Sequence, residues 1–319
     1  RDCLLGIGIF CRYGHICHSD KKIFQGIGKG GNIMCRLELM GIEKTYKDKK
    51  AVKDLTVGFD NGVYGLLGEN GAGKTTLMRM IVGILKPTQG QICCDGIPIQ
   101  QLGGAYRSLL GYLPQDFGYY KDFTAVRFLN YIAALKAVDP ETAKERIAHI
   151  LETVGLAEYR DKKLKTFSGG MIRRIGIAQA LLNEPEILIL DEPTAGLDPK
   201  ERVRFRNIIS SLGKKRIVIL STHIVSDVAY IANQIILMKH GQFVKTGTQE
   251  QMLAPVSGCV WKCTVPEEIA AELNETYAVS NLKGCGEQVE LRIVSKKKPH
   301  PDAVIVEPVL EDAYLYYDI

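Results

Sequence analysis

At 319 residues, 46% of them hydrophobic, the chain can form one large or two ordinary domains with an ample core. Its net charge of +5, from 41 basic and 36 acidic side chains, points neither to nucleic acid nor to a strongly acidic partner, although a slight positive excess suits a protein working beside a membrane. No apolar run reaches the roughly 18–20 residues of a bilayer span, and nine cysteines without a Cys-x-x-Cys pair argue against a disulfide framework or zinc module. Cys93 and Cys94 are adjacent, and Cys259 and Cys263 share one face of an expected strand. Both pairs read as small core residues in a reducing compartment.

The segment 1–33 has no clear periodicity. Its apolar stretch at residues 4–10 is ended by Arg12, too early for a signal peptide. Cys11, His15, Cys17 and His18 fit no standard zinc spacing and read as ordinary exposed residues. Lys29-Gly30-Gly31 can be encoded AAA-GGA-GGN, a purine run like a ribosome-binding site ahead of Met34. Residues 1–33 are therefore expected to be translated leader sequence, with the native start at Met34.

The next informative element is the apolar run Val63 to Leu67, followed by Gly68-Glu69-Asn70-Gly71-Ala72-Gly73-Lys74-Thr75 and then by Leu77, Met78, Ile81, Val82 and Leu85 at helical spacing. A strand, a loop of the form Gly, four residues, Gly-Lys-Thr, and a helix make a phosphate cradle. Glycines 68, 71 and 73 let several N–H groups converge on one phosphate, and the helix adds the partial positive charge of its N-terminus. Lys74 reaches the terminal phosphates and the Thr75 hydroxyl binds the accompanying magnesium. A bare Gly-rich turn would not require Gly-Lys-Thr in register between these elements. The chain is expected to bind a nucleoside triphosphate.

Further along come Gln115, in Leu-Pro-Gln-Asp-Phe-Gly, and a helix opened by Asp139 as cap and Pro140, with the stripe Ile147, Ile150, Leu151 and Val154 ending at Gly155. His149 lies off that stripe. Thr-Phe-Ser168-Gly169-Gly170-Met then leads into a second helical run. Ile187 to Leu190, four branched apolar residues in a row, predicts a strand buried on both faces, as in a parallel sheet covered by helices. It ends in Asp191 and Glu192, at the sheet edge where ligands bind. Asp191 is placed to hold magnesium and Glu192 to activate the attacking water. Asp198 follows, and another apolar strand, Ile217 to Leu220, leads to Ser221-Thr222-His223.

Taken together and in this order, these motifs resemble the ATP-binding cassette (ABC) family over roughly Leu37 to Thr246. The resemblance implies an α/β fold: a P-loop NTPase core with a mostly parallel sheet, an N-terminal antiparallel β part and an inserted helical subdomain. The cassette is expected over 34–255, with the helical subdomain at about 116–170. It implies ATP and Mg2+ as ligands, with Glu69, Asn70, Gly71, Ala72, Gly73, Lys74, Thr75 and Thr76 around the phosphates and Tyr46 stacked on adenine, a core tyrosine being the other reading. Thr75, Gln115 and Asp191 would serve the metal, Glu192 and His223 the hydrolysis. A serine and glycines at a helix start make an anion site, and one phosphate loop is already present. By resemblance, Ser168, Gly169 and Gly170 complete the ATP site of a second cassette, identical or not, and Asp198 bridges the two. Phe167 and Met171 replace the family's leucine and glutamine there, which removes a polar contact.

The stretch Asp116 to Tyr120 would face an integral-membrane permease on a separate chain. No nucleic acid and no soluble small-molecule substrate besides ATP is implied, and the expected location is cytoplasmic, peripheral on the inner face of the membrane. After about Pro255, alternation over 259–265, a helical spacing of Ile269, Leu273 and Tyr277, and alternation of Val289, Leu291 and Ile293 predict a small α+β domain at 256–319. Lys296 to Lys298 reads as a solvated loop. The tail Glu307 to Tyr314 resembles the ending of cassettes from multidrug, bacteriocin and antibiotic-resistance exporters. An importer ATPase and a soluble non-transport cassette stay open as alternatives. The roughly ninety residues between Thr75 and Ser168 carry no heptad run, unlike a DNA-maintenance ATPase.

Overall fold

The computed structural model describes residues 35–317. The expected leader, the start at Met34 and the Cys11–His18 group lie outside these residues. The chain opens with β1 (Leu37–Tyr46), β2 (Lys49–Phe59) and β3 (Gly62–Leu67), then α1 (Lys74–Ile81), β4 (Gln89–Cys94), β5 (Ile97–Pro98) and β6 (Leu110–Leu113). Two helices follow, α2 (Ala125–Leu135) and α3 (Pro140–Thr153), and then α4 (Gly169–Leu181) and β7 (Ile187–Asp191). Next come α5 (Pro199–Leu212), β8 (Ile217–Thr222), α6 (Val225–Ala229), β9 (Gln234–Lys239), β10 (Gln242–Gly247) and α7 (Gln249–Leu253). The last part holds β11 (Val260–Pro266), α8 (Glu267–Thr276), β12 (Ala278–Cys285), β13 (Gln288–Val294), β14 (Val304–Ile305) and α9 (Leu310–Tyr316).

The central sheet has six strands in the order β10-β9-β3-β8-β7-β6, and all but the edge strand β10 run parallel. Every residue of β3, β7 and β8 is buried, the outcome expected of strands covered on both faces. Helix cover is tight: a Cβ added at Gly65 of β3 would lie 2.3 Å from a methyl of Val228 on α6. Register decides function here. Leu67 at the end of β3 pairs with Thr222 at the end of β8, and Asp191 at the end of β7 pairs with Ser221. Three neighbouring strands thus end at one level and present three loops on one edge.

A second sheet, β2-β1-β4-β5, is antiparallel. It packs through Leu37, Leu39, Ile42 and Ile92 into a core shared with α1. The helices α2 and α3 form with α4 a lobe whose apolar stripe, Ile147, Ile150, Leu151 and Val154, is fully in the core. Asp139 caps α3 by accepting from Thr142 N at 3.2 Å, Pro140 occupies its first turn, and Gly155 takes φ 65° just past its end. Long basic side chains stitch α2 and α3 to α4. Lys136 Nζ donates to the Gln179 carbonyl (2.9 Å) and to Asn183 (2.7 Å), and Arg174 Nη1 to the carbonyls of Val154 (3.0 Å) and Gly155 (2.9 Å). His149 is exposed.

The third sheet, β12-β13-β11-β14, is antiparallel. Cys263 and Val265 pack with α8 on one face, while Val260 and Val294 turn into the same core as the central sheet. Cys259 does not share that strand: it is half-buried just before β11, because the Gly258 turn (φ 76°) precedes it. Cys93 and Cys94 are both buried. Strand β12 had no sequence signal, since five of its eight residues are exposed and it lacks apolar alternation. Lys296, Lys297 and Lys298 lie in an exposed loop, as expected.

The tail is fastened by a buried carboxylate. Asp312 is 0% exposed and accepts from Arg292 Nη2 (2.7 Å), Arg292 Nε (3.0 Å), Ser280 Oγ (2.6 Å) and the amide of Val309 (2.8 Å). Arg292 also donates to the Glu307 carbonyl. With these bonds made, Leu310 and Ala313 of α9 enter the main core. Asp312→Ala leaves a guanidinium with its partner removed, and a loss of about 3 kcal/mol is expected. Hydrogen exchange should show it as lost protection across residues 260–317; unchanged protection there would refute the clasp.

Candidate functional site

The loop between β3 and α1 is built by glycines with two separate tasks. Gly68 and Gly73 are required by close packing: an added Cβ would sit 2.3 Å from the Met238 carbonyl oxygen at Gly68 and 2.5 Å from that of Ala51 at Gly73. Gly73 also holds φ 108° as the cap of α1. Gly71, at φ 88°, has nothing within 4 Å of an added Cβ and lies open to solvent with Glu69 and Asn70. All three glycines are expected from the sequence to serve tight curling; Gly68 instead serves packing, with no left-handed φ.

Lys74 is 6% exposed and its ammonium is folded into the loop, donating to the carbonyls of Gly68 (2.6 Å) and Glu69 (3.1 Å) and lying 3.5 Å from Glu192 Oε1. Thr75 Oγ1 donates to Asp191 Oδ1 at 3.3 Å. Thr76 and Ala72 are half-buried and buried beside them. Asp191 is 1% exposed; burial pushes its pKa up, against the hydrogen bonds from Ser221 and Thr75. Its second oxygen, Oδ2, is buried without a hydrogen-bond partner. A desolvated carboxylate with an unpaired oxygen and a threonine hydroxyl beside it is a donor set suited to a hard divalent cation.

Glu192 takes the left-handed backbone conformation, φ 47°, rare for a residue with a long side chain. This turns the side chain back over the end of the sheet, where Oε2 meets His223 Nδ1 at 2.9 Å and Oε1 faces Lys74. Ser221 joins the two acids: its Oγ donates to Asp191 Oδ1 at 2.6 Å and accepts from the amide of Glu192 at 2.9 Å. From the sequence, Ser221 is expected only as context for His223. Its position before Thr-His at the end of an apolar strand was the available signal.

The other expected residues make contacts of their own, apart from the Lys74–Glu192–His223 group. Gln115 is exposed, with its carbonyl accepting from Arg173 Nη1 at 2.8 Å. A cavity of about 470 Å³ lies between Gln115, Tyr119, Phe167, Gly169, Arg173 and Gly196. Ser168 caps α4, its Oγ accepting from Met171 N at 3.2 Å. Gly169 is open to solvent, whereas Gly170 is buried against Glu201, with 2.8 Å between an added Cβ and that side chain. Asp198 caps α5, accepting from Glu201 N at 2.8 Å. Among the described residues the Ser168–Gly170 segment shares no hydrogen bond or ion pair with the phosphate loop. Tyr46 ends β1 at 44% exposure, with Lys44 Nζ 5.5 Å from its ring centre, which rules out the core reading. Asp116 and Tyr120 are exposed and Phe117 to Tyr119 half-buried.

Ser221→Ala leaves Asp191 Oδ1 and the Glu192 amide each short of a partner in a buried site. A loss of about 2 kcal/mol is expected, read as a lowered denaturant midpoint. An unchanged midpoint would mean that Ser221 does not tie the two acids together.

The geometry agrees with what the chain resembles among known proteins. The family model described as ABC transporter matches residues 52–195. The uncharacterized ABC transporter ATP-binding protein YxlF of Bacillus subtilis (strain 168) is 36% identical over 245 residues, 76% of this chain and 81% of that protein. The probable multidrug ABC transporter ATP-binding protein YbhF of Escherichia coli (strain K12) is 34% identical over 84% of this chain, which spans 47% of YbhF. Among solved structures, the dimeric bacterial ABC transporter cassette MJ0796 superposes with a TM-score of 0.60 at 26% identity, covering 66% of this chain and 98% of that one. Among the described residues no helix is long and apolar enough to cross a membrane. With its phosphate loop, acidic strand end and histidine on one sheet edge, the chain belongs to the ABC transporter ATP-binding proteins and is an ATPase of that family.

Proposed function

We propose that this chain is the ATP-hydrolysing subunit of a bacterial exporter, working as a cassette dimer, homomeric or mixed, on the inner membrane face beneath a separate permease. The observation that carries the hydrolytic reading is the Glu192 carboxylate, turned by its backbone to lie between Lys74 (3.5 Å) and His223 (2.9 Å). The phosphate-loop amides from Glu69 to Thr76 and the Lys74 ammonium bind the phosphates, with Lys74 exchanging the Gly68 and Glu69 carbonyls for phosphate oxygens. Thr75 and Asp191, with Gln115, would hold Mg2+, which would supply charge neutralisation on the phosphates. Glu192 accepts the proton of the attacking water, and His223 orients that carboxylate through Nδ1, leaving Nε2 available to the terminal phosphate. Tyr46, exposed at the end of β1, stacks on adenine.

The partner cassette receives the start of α4. Gly169 and the Ser168 end of the helix face solvent and suit a phosphate presented from outside. Gly170 serves by letting α4 approach Glu201, and Asp198 holds the start of α5 close to the same surface. Export over import is supported by the tail from Glu307 to Tyr314 and by the multidrug name of a relative aligned over 84% of this chain.

Glu192→Gln should keep ATP affinity and lose at least about 100-fold in turnover; light scattering should then show an ATP-dependent dimer. Near-wild-type turnover in this variant would remove Glu192 from the mechanism. Lys74→Ala should weaken nucleotide binding itself, and an unchanged Kd would contradict the phosphate cradle. Direction of transport is tested by the DNA flanking the gene. A neighbouring frame with several apolar spans of about 20 residues supports the permease reading, and a solute-binding protein beside it would overturn export.

A further inference from the structure

The start of β1 meets the β4–β5 turn. Cys35 and Cys94 are both buried, at 3% and 1% exposure, and their sulfurs lie 3.5 Å apart. Asp95 follows in the left-handed conformation, φ 51°, with Gly96 at φ 77°, the backbone of a tight hairpin turn. Its carboxylate is oriented: Oδ1 accepts from the Arg36 amide at 2.8 Å, and Oδ2 is left 4.0 Å from the Cys94 sulfur. The Asp95 amide in turn donates to the Arg36 carbonyl at 2.9 Å, so the turn and the strand are locked in register.

We propose that Cys35, Cys94 and Asp95 form a binding site for a thiophilic divalent cation, Zn2+, that staples the first strand to the β4–β5 hairpin. The three donor atoms lie within 4.8 Å of one another. A tetrahedral zinc with Zn–S bonds of about 2.3 Å holds two sulfurs about 3.8 Å apart, and a sulfur and a carboxylate oxygen about 3.6 Å apart. The observed 3.5 and 4.0 Å fall within a few tenths of an ångström of those spans. A disulfide would instead require the sulfurs to close to about 2.05 Å.

A bound Zn2+ would hold both sulfurs as thiolates. The Arg36 amide on Oδ1 is the outer hydrogen bond that fixes a carboxylate ligand's orientation. Asp95 is exposed, so the ion enters from that side and water takes the fourth position.

The test uses the full chain, reduced and stripped with a chelator, and titrated with Co2+ as the spectroscopic probe. One equivalent should produce a thiolate-to-cobalt charge-transfer band with tetrahedral visible bands, and Zn2+ should displace both. Cys94→Ser should abolish the band. Asp95→Asn, a change at an exposed turn that leaves the core intact, should weaken binding about 10–100-fold. Cys285→Ser, at an exposed cysteine on another sheet, should leave the titration unchanged. Absence of the band in the unsubstituted protein, its survival in folded Cys94→Ser, or unchanged affinity in Asp95→Asn would each overturn the site. So would the finding that the two cysteines only form a disulfide on oxidation.

Discussion

The levelling of three parallel strand ends is the constraint on which the site depends. Because Leu67 pairs with Thr222 and Asp191 with Ser221, the loops after β3, β7 and β8 leave the sheet at the same height. Lys74, Asp191, Glu192 and His223 come from three loops spread over some 150 residues of chain. The register sets Glu192 between Lys74 and His223, and Asp191 beside Ser221 and Thr75. Burial of every residue in those strands makes a slip costly, since each would move an apolar side chain out of register with its helix cover.

Within that frame, polarity is managed by few groups. Ser221 satisfies one oxygen of Asp191 and the amide of Glu192 at once, and leaves Asp191 Oδ2 buried without a hydrogen-bond partner. A native core tolerates such an orphan where a ligand is to be received. The left-handed backbone at Glu192 is strain of the same kind, held by the strand behind it and by contacts with Lys74 and His223.

The lobe and the tail are joined to the core by different physics. Lys136 after α2 donates to the Gln179 carbonyl near the end of α4, and Arg174 in the middle of α4 donates to the Val154 carbonyl after α3, so α2, α3 and α4 form one unit. A unit held by directional bonds keeps the orientation of the open Gly169 end. The tail instead depends on one buried carboxylate, Asp312, which gathers Arg292, Ser280 and the Val309 amide before α9 can lay Leu310 and Ala313 into the core.

Local chemistry was legible in the sequence. The glycine loop, the apolar strand before Asp191, the cap of α3 and the helix stripe each follow from residue type and spacing, because a turn, a buried strand or a cap is set by its own few residues. The family assignment came from motif order. What only the tertiary structure decided involves distant partners: the strand order that places β8 between β3 and β7, Ser221 as the link between two acids, and the left-handed turn at Glu192. Gly68 and Gly170 needing space against other segments, the exposed strand β12, and the meeting of Cys35 with Cys94 belong with them. Pairing across a sheet depends on which surfaces the remaining chain buries, a property that no window of local sequence contains.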